Sequence, residues 1–254
     1  MSTPVPDVGA ELAVPAGYRE VYAETFDSGT APSATRWSHD TDLNKRGWYN
    51  GERQYYAHAD SDAARVADGK LRISAVAHPP GPPRPSDWGG QGYTSARITT
   101  AGHARWHYGF FSVRARLPRV RGAWPAIWLL PERHDFRWDG GEIDIAELAG
   151  HRPDEVRQGI QTRAANFRRG NQPVAVTRQA DDAFHDYQVL WTPDRVVFGI
   201  DGRVTFIAPA VGLDRPMALI LNVAVGGDWA GAEGIADASF PATMEVDSIR
   251  VWQP

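Results

Sequence analysis

Hydrophobic and polar residues alternate with a period of two along most of this chain. Phe111, Val113, Ala115 and Leu117 are separated by Ser112, Arg114 and Arg116. Tyr187, Val189 and Trp191 keep the same spacing, as do Val196, Phe198 and Ile200. Successive side chains of a strand point to opposite faces, so this pattern predicts strands with one buried face. Asp201-Gly202 comes next, with Val204 and Phe206 beyond it, which predicts a tight hairpin. Met244–Trp252 reads as a closing strand. No long window shows the 3.6-residue period of an amphipathic helix. The proline-rich segment 78–86 cannot be a central strand, because proline lacks the ladder donor. Similar β patterning resumes after it, so it is a loop and not a domain linker. Residues 1–17 form an irregular lead-in, and 18–254 are expected to form one domain. The expected fold is all-β, two packed antiparallel sheets.

One strand departs from this pattern. Gly140-Gly141 leads into Glu142-Ile143-Asp144-Ile145-Ala146-Glu147, three acids in six positions of an apolar stretch. Glu142 and Asp144 share a face, while Ile143 and Ile145 share the other. Glu147 has the wrong parity to join the acids. One extra residue, a bulge near Ala146, would bring it onto their face. At ~3.3 Å per residue, Glu142 and Glu147 would then sit about 13 Å apart at Cα. Side chains reaching inward could approach the ~5–5.5 Å carboxyl separation of a retaining glycosidase. Asp144 between them would hydrogen-bond a partner, and mutual repulsion would keep one acid protonated. A plain polar strand face would need no such spacing, and a metal site would call for histidine, which the segment lacks.

Composition narrows the choices. The formal charge of −4 gives no reason to expect nucleic acid or an anionic membrane as partner. With no cysteine there is neither a disulfide framework nor a thiolate metal site. The apolar runs are shorter than the roughly 18 residues that span a bilayer. The first residues lack the charged and apolar regions of a signal peptide. Ten tryptophans exceed what a core needs, and flat rings suit the C–H faces of sugars.

These residues resemble glycoside hydrolase family 16, whose signature is Glu-x-Asp-x-(x)-Glu; this chain carries the longer, bulged form. The resemblance runs from about residue 20 to near the C-terminus. It includes Asn50–Tyr56, Asp68–Ser74, Tyr93–Ile98, Tyr108–Phe111, Trp124–Pro131, Phe184–Tyr187, Trp191–Arg195 and Leu221–Gly227. The nearest branch is laminarinase-like, acting on β-1,3- or mixed β-1,3/1,4-glucans. The resemblance implies a β-jelly-roll sandwich with a concave substrate cleft. It implies Glu142 as nucleophile, Glu147 as acid/base and Asp144 as the assisting carboxylate. It places Asn50, Glu52, Arg97, Trp124, Trp128, Trp138 and Asn222 along the cleft, with Trp229 as a rim ring. Trp124 and Trp128 share parity and therefore a face. The chemistry needs no cofactor. A structural calcium is implied on the convex side, held by backbone oxygens near Thr25 and Gly69 and by the carboxylate of Asp247. The expected partner is a β-glucan polysaccharide and the expected state a monomer. Secretion, or passage to a periplasm, is expected, with the signal peptide absent from the sequence in hand.

Two positions depart from the family pattern. The usual Trp-Pro before the catalytic strand is replaced by Arg137-Trp138-Asp139, shifting the ring by one. The next strand usually offers a histidine to the cleft, and here Thr162 is expected there. The following loop carries Arg163, Arg168 and Arg169, for which a solvated loop is the simpler expectation. Three alternatives stay open: an agar- or carrageenan-like galactan as substrate, transglycosylation in place of hydrolysis, or a glucan-binding domain without turnover. The last usually lacks the carboxylates present here.

Overall fold

The alternating pattern folds into 17 strands in the computed structural model, which describes residues 7–132, 138–179 and 181–254. The first seven are β1 (Arg19–Glu24), β2 (Ser38–His39), β3 (Gln54–Tyr56), β4 (Ala64–Ala67), β5 (Lys70–Ala75), β6 (Tyr93–Ser95) and β7 (Arg97–Thr99). The middle of the chain gives β8 (Gly109–Arg116), β9 (Ala123–Pro131), β10 (Glu142–Leu148), β11 (Glu155–Gln161) and β12 (Val174–Arg178). It closes with β13 (His185–Trp191), β14 (Arg195–Ile200), β15 (Arg203–Pro209), β16 (Met217–Val225) and β17 (Ala242–Gln253). One helical turn, α1 (Gly227–Ala230), follows β16.

Two antiparallel sheets hold nearly all of these strands. The outer sheet runs β15-β14-β13-β8-β17-β5-β4, with β1 added along the far half of β17. The inner sheet runs β12-β11-β10-β9-β16-β7-β2. The hydrophobic members of each alternation meet between the sheets. Phe111, Val113, Ala115, Ile127, Leu129, Ile143, Ile145, Leu221 and Val223 are all fully buried there. Such contact scales with apolar area removed from water, about 25 cal/mol per Å2. This β-jelly-roll sandwich is the all-β class that the period-two pattern implies. Asp201 and Gly202 both adopt positive φ, 51° and 73°, as a two-residue hairpin between β14 and β15 requires.

The lead-in, of which the first six residues lie outside the description, docks on the outer sheet. Leu12 is buried beside Val197 and Val204, and Gly9 and Leu12 donate backbone hydrogen bonds to the carbonyls of Val204 and Gly202. The lead-in is irregular because it makes these contacts through single bonds and one isolated bridge, Glu11 to Arg203.

Candidate active site

The catalytic-type strand β10 lies centrally in the inner sheet, between β9 and β11. Its pairing slips after Asp144. On the β9 side Asp144 faces Trp128 while Ala146 faces Ile127, so Ile145 is the extra residue. On the β11 side Asp144 faces Gly159 and Glu147 faces Arg157, so two residues oppose Gln158 alone. The bulge falls where parity required it. Ile143, Ile145, Ala146 and Leu148 all point into the core. Glu142, Asp144 and Glu147 all line one cleft of about 350 Å3, within the usual range of ligand sites. Gln158, itself fully buried, holds the bulge by donating from Nε2 to the Ile145 carbonyl at 2.8 Å. Entry into β10 also depends on glycine. Gly141 has φ +79°, and a Cβ there would lie 2.1 Å from Leu213 Cδ2.

Burial dominates the electrostatics. Desolvation pushes the Glu142 carboxyl up to about 7, reinforced by the charge of Glu147. Opposing this, Gln161 Nε2 donates to Glu142 Oε1 at 3.1 Å, and the Asp144 carboxyl hydrogen-bonds it as well. Asp144 is raised well above the usual carboxylate range by burial and by its two glutamate neighbours. A neutral Asp144 can therefore donate its proton to Glu142, which stabilises the ionised glutamate. Glu147 is also raised by burial, against the nearby Arg157 guanidinium and the indole N–H of Trp124, 2.9 Å from Glu147 Oε1.

The expected cleft residues divide by what holds them. Asn50 lies in a 3-10 turn (Tyr49–Gly51) with φ 55°, and the neighbouring Glu52 pairs in an isolated bridge with Gly226. Burial lifts Glu52 to about 7 despite hydrogen bonds from Gln54 and Asn50. Arg97 lines the cleft, but its guanidinium lies between the Trp48 and Trp128 rings and pairs with Asp40 at 2.8 Å. Asn222 accepts from Trp128 Nε1 at 2.8 Å and donates to the Tyr56 hydroxyl at 3.0 Å. Arg97 and Asn222 therefore set the angle of the Trp128 ring. Trp124 meets Trp229 edge to face, centroids 5.0 Å apart, and both line the cleft. Trp138 lines it too, edge to face with Phe167 at 5.4 Å; its neighbour Arg137 lies outside the described residues.

Thr162 requires correction. It is buried away from the cleft, exchanging hydrogen bonds with Ala165 and packing over Gly212. Arg157, Gly159 and Gln161 share the cleft-facing parity of β11, so Gln161 takes the position expected of Thr162. The phase was off by one residue. A second group went unforeseen. Phe167 and Arg168 also face the cleft, with the Arg168 guanidinium 5.5 Å from the Trp138 ring. They belong to a 3-10 turn (Phe167–Arg169) in a loop, where no periodicity marks a facing residue.

The residues expected to hold calcium lie elsewhere. Asp247 is on β17, where pairing with β8 slips between Val246 and Ser248, and its Oδ2 is 3.8 Å from Arg114 Nε. Gly69 ends the β4–β5 turn near Asp27, and Thr25 follows β1. Among the described residues no three His, Cys, Asp or Glu side chains cluster as metal ligands do. The expected set is oxygen alone, of the kind calcium takes, and its named carboxylate, Asp247, is shared with Arg114.

A bulged strand that gathers two glutamates and an aspartate in a ring-lined cleft defines a glycoside-cleaving enzyme. The sequence profile of "Glycosyl hydrolases family 16" matches residues 51–247, and the chain belongs to that family of glycoside hydrolases. A β-glucanase of Rhodothermus marinus is 39% identical over 92% of this chain and 84% of its own. A crystal structure of a non-specific endo-β-1,3(4)-glucanase of family 16 superposes with a TM-score of 0.91. It is 39% identical over 97% of this chain and 95% of that one. The laminarinase from Rhodothermus marinus gives 0.86 at 37% identity, over 93% and 97%.

Proposed function

We propose that the protein is a retaining endo-glucanase that hydrolyses β-1,3- or mixed β-1,3/1,4-glucans. The observation that carries this is the bulged strand, which puts Glu142 and Glu147 on one face of the cleft with Asp144 between them. Ionised Glu142 attacks the anomeric carbon. The bond to the leaving oxygen breaks as Glu147 delivers its proton there. Glu147 then takes a proton from water, whose oxygen displaces Glu142 and restores the anomeric configuration. Gln161 and Asp144 supply the hydrogen bonds that favour the ionised nucleophile. Burial raises Glu147 toward the protonated form that an acid requires. Trp124, Trp128 and Trp138 offer rings to sugar faces. Similarity to β-1,3- and β-1,3(4)-glucanases supports the choice of glucan over galactan. A polysaccharide of this kind supports action outside the cytoplasm. Among the described residues no helix is long and apolar enough to cross a membrane.

Digestion of laminarin, barley mixed-linkage glucan and agarose, followed by proton NMR of the fresh products, tests the proposal. Oligosaccharides from the two glucans, released first as the β-anomer, are the expected result. Release of the α-anomer, or products from agarose alone, would overturn it.

A further inference from the structure

We infer that Gln161 is a positioning residue that couples the nucleophile to the aromatic wall of the cleft. One end of its amide holds Glu142, and the other holds the turn that presents Phe167. The inference rests on the glucanase reading above and deepens it.

The geometry begins with the backbone. Phe167 N–H can only donate, and it meets Gln161 Oε1 at 3.1 Å. That contact fixes which way the amide faces, because the oxygen must lie toward the turn. Nε2 is thereby turned toward Glu142 Oε1, also at 3.1 Å. Gln161 is only 8% exposed, so neither bond has water as a ready substitute. A donor aimed at a buried carboxylate stabilises its ionised form. Of the two glutamates on β10, this one is assigned the role that requires a charge.

The other end sets the wall. Phe167 is 46% exposed, so core packing does not account for its ring. It stands edge-on to Trp138, and Arg168 lies against both rings. The turn is braced from within by Asn166, whose Oδ1 accepts from Arg169 N–H at 3.2 Å and whose Nδ2 donates to the Thr162 carbonyl at 2.9 Å. A braced turn moves as a unit, and Gln161 ties that unit to the nucleophile. A glutamine here does so without titrating, so the link holds at every pH at which Glu142 works.

Three variants separate the two ends, with pH profiles of kcat/KM and KM measured on laminarin. Gln161→Glu keeps the acceptor for Phe167 but puts a second carboxylate against Glu142. Its acidic limb is expected to move up by about one pH unit or more, with KM near that of the parent. Gln161→Met removes both ends, raising the acidic limb and KM together and lowering kcat/KM about 10- to 100-fold. Phe167→Ala raises KM and leaves the acidic limb in place. A parental acidic limb in Gln161→Glu, or a parental KM in Gln161→Met, would overturn the coupling. Carbon-13 NMR titration of the Glu142 carboxyl in the parent and Gln161→Glu reads the same shift without turnover. A parent that releases no sugar would therefore sink the glucanase reading while this titration still decides the link between Gln161 and Glu142.

Discussion

Glu142 and Glu245 are both glutamates on interior strands of their sheets, yet their surroundings act in opposite directions. Glu245, on β17 of the outer sheet, accepts from Arg72 Nε at 2.9 Å and Arg116 Nη2 at 2.5 Å. Two guanidiniums hold its carboxyl below the ordinary glutamate value despite partial burial. Glu142, on β10 of the inner sheet, has an amide and a second acid for partners, and burial lifts it to about 7. The outer sheet neutralises its charges within itself. On the inner sheet Glu142 is buried beside acids and an amide instead, at a cost in stability that the packed core must offset. That difference separates a carboxylate that holds the fold from one available for reaction.

The comparison breaks most sharply at Glu142. Glu142→Gln keeps the shape but removes the nucleophile, so hydrolysis of laminarin should fall about a thousandfold or more, as a reducing-sugar assay would show. The melting temperature should hold or rise, because a buried like-charge neighbour is gone.

Glu245→Gln should do the reverse. It leaves two partly exposed guanidiniums without their carboxylate and should cost up to about 1 kcal/mol in urea unfolding, with kcat unchanged. A drop in kcat with no loss of stability would contradict the division between the sheets.

The smallest effect is in the pH dependence of stability. Glu142 and Glu52 titrate at about 7 when folded, above the 4.5 of a free glutamate. Between those values the folded state binds more protons than the unfolded state, so stability falls as pH rises from about 4.5 to 7. Glu245 acts oppositely, its contribution being present above the ordinary glutamate value and lost as pH falls through its lowered folded value. Melting temperatures from pH 4.5 to 8 should decline toward the alkaline side, and more shallowly in Glu142→Gln. An unchanged slope in that variant would show that Glu142 is not the group responsible.

Much of this was legible in the chain because it rests on local parity. The 201–202 hairpin, the strands over 111–117 and 187–191, and the need for a bulge before Glu147 all follow from alternation within a few residues. Gln161 was missed, although it is adjacent to the residue expected, because its phase depends on pairing with β10. That pairing is set by the turn at 149–154 and by the bulge itself. Phe167 and Arg168 left no trace because a loop has no period. Arg97 and Asn222 were visible as polar residues in apolar strands, but their use in aligning Trp128 depends on three strands meeting. Sequence marks which residues are unusual; the ladder decides which way they face.

Gln158 gives the bulge a wider consequence. Its amide nitrogen also lies 3.3 Å from the Gly199 carbonyl on β14, and its oxygen accepts from Thr205 Oγ1 on β15 at 2.5 Å. The spacing of the reactive acids is thus fastened to a hairpin of the opposite sheet, the same hairpin on which the lead-in docks. Wear at that remote corner would be felt as a change in catalytic spacing, so the enzyme's tolerance to heat and its accuracy as a catalyst should fail together.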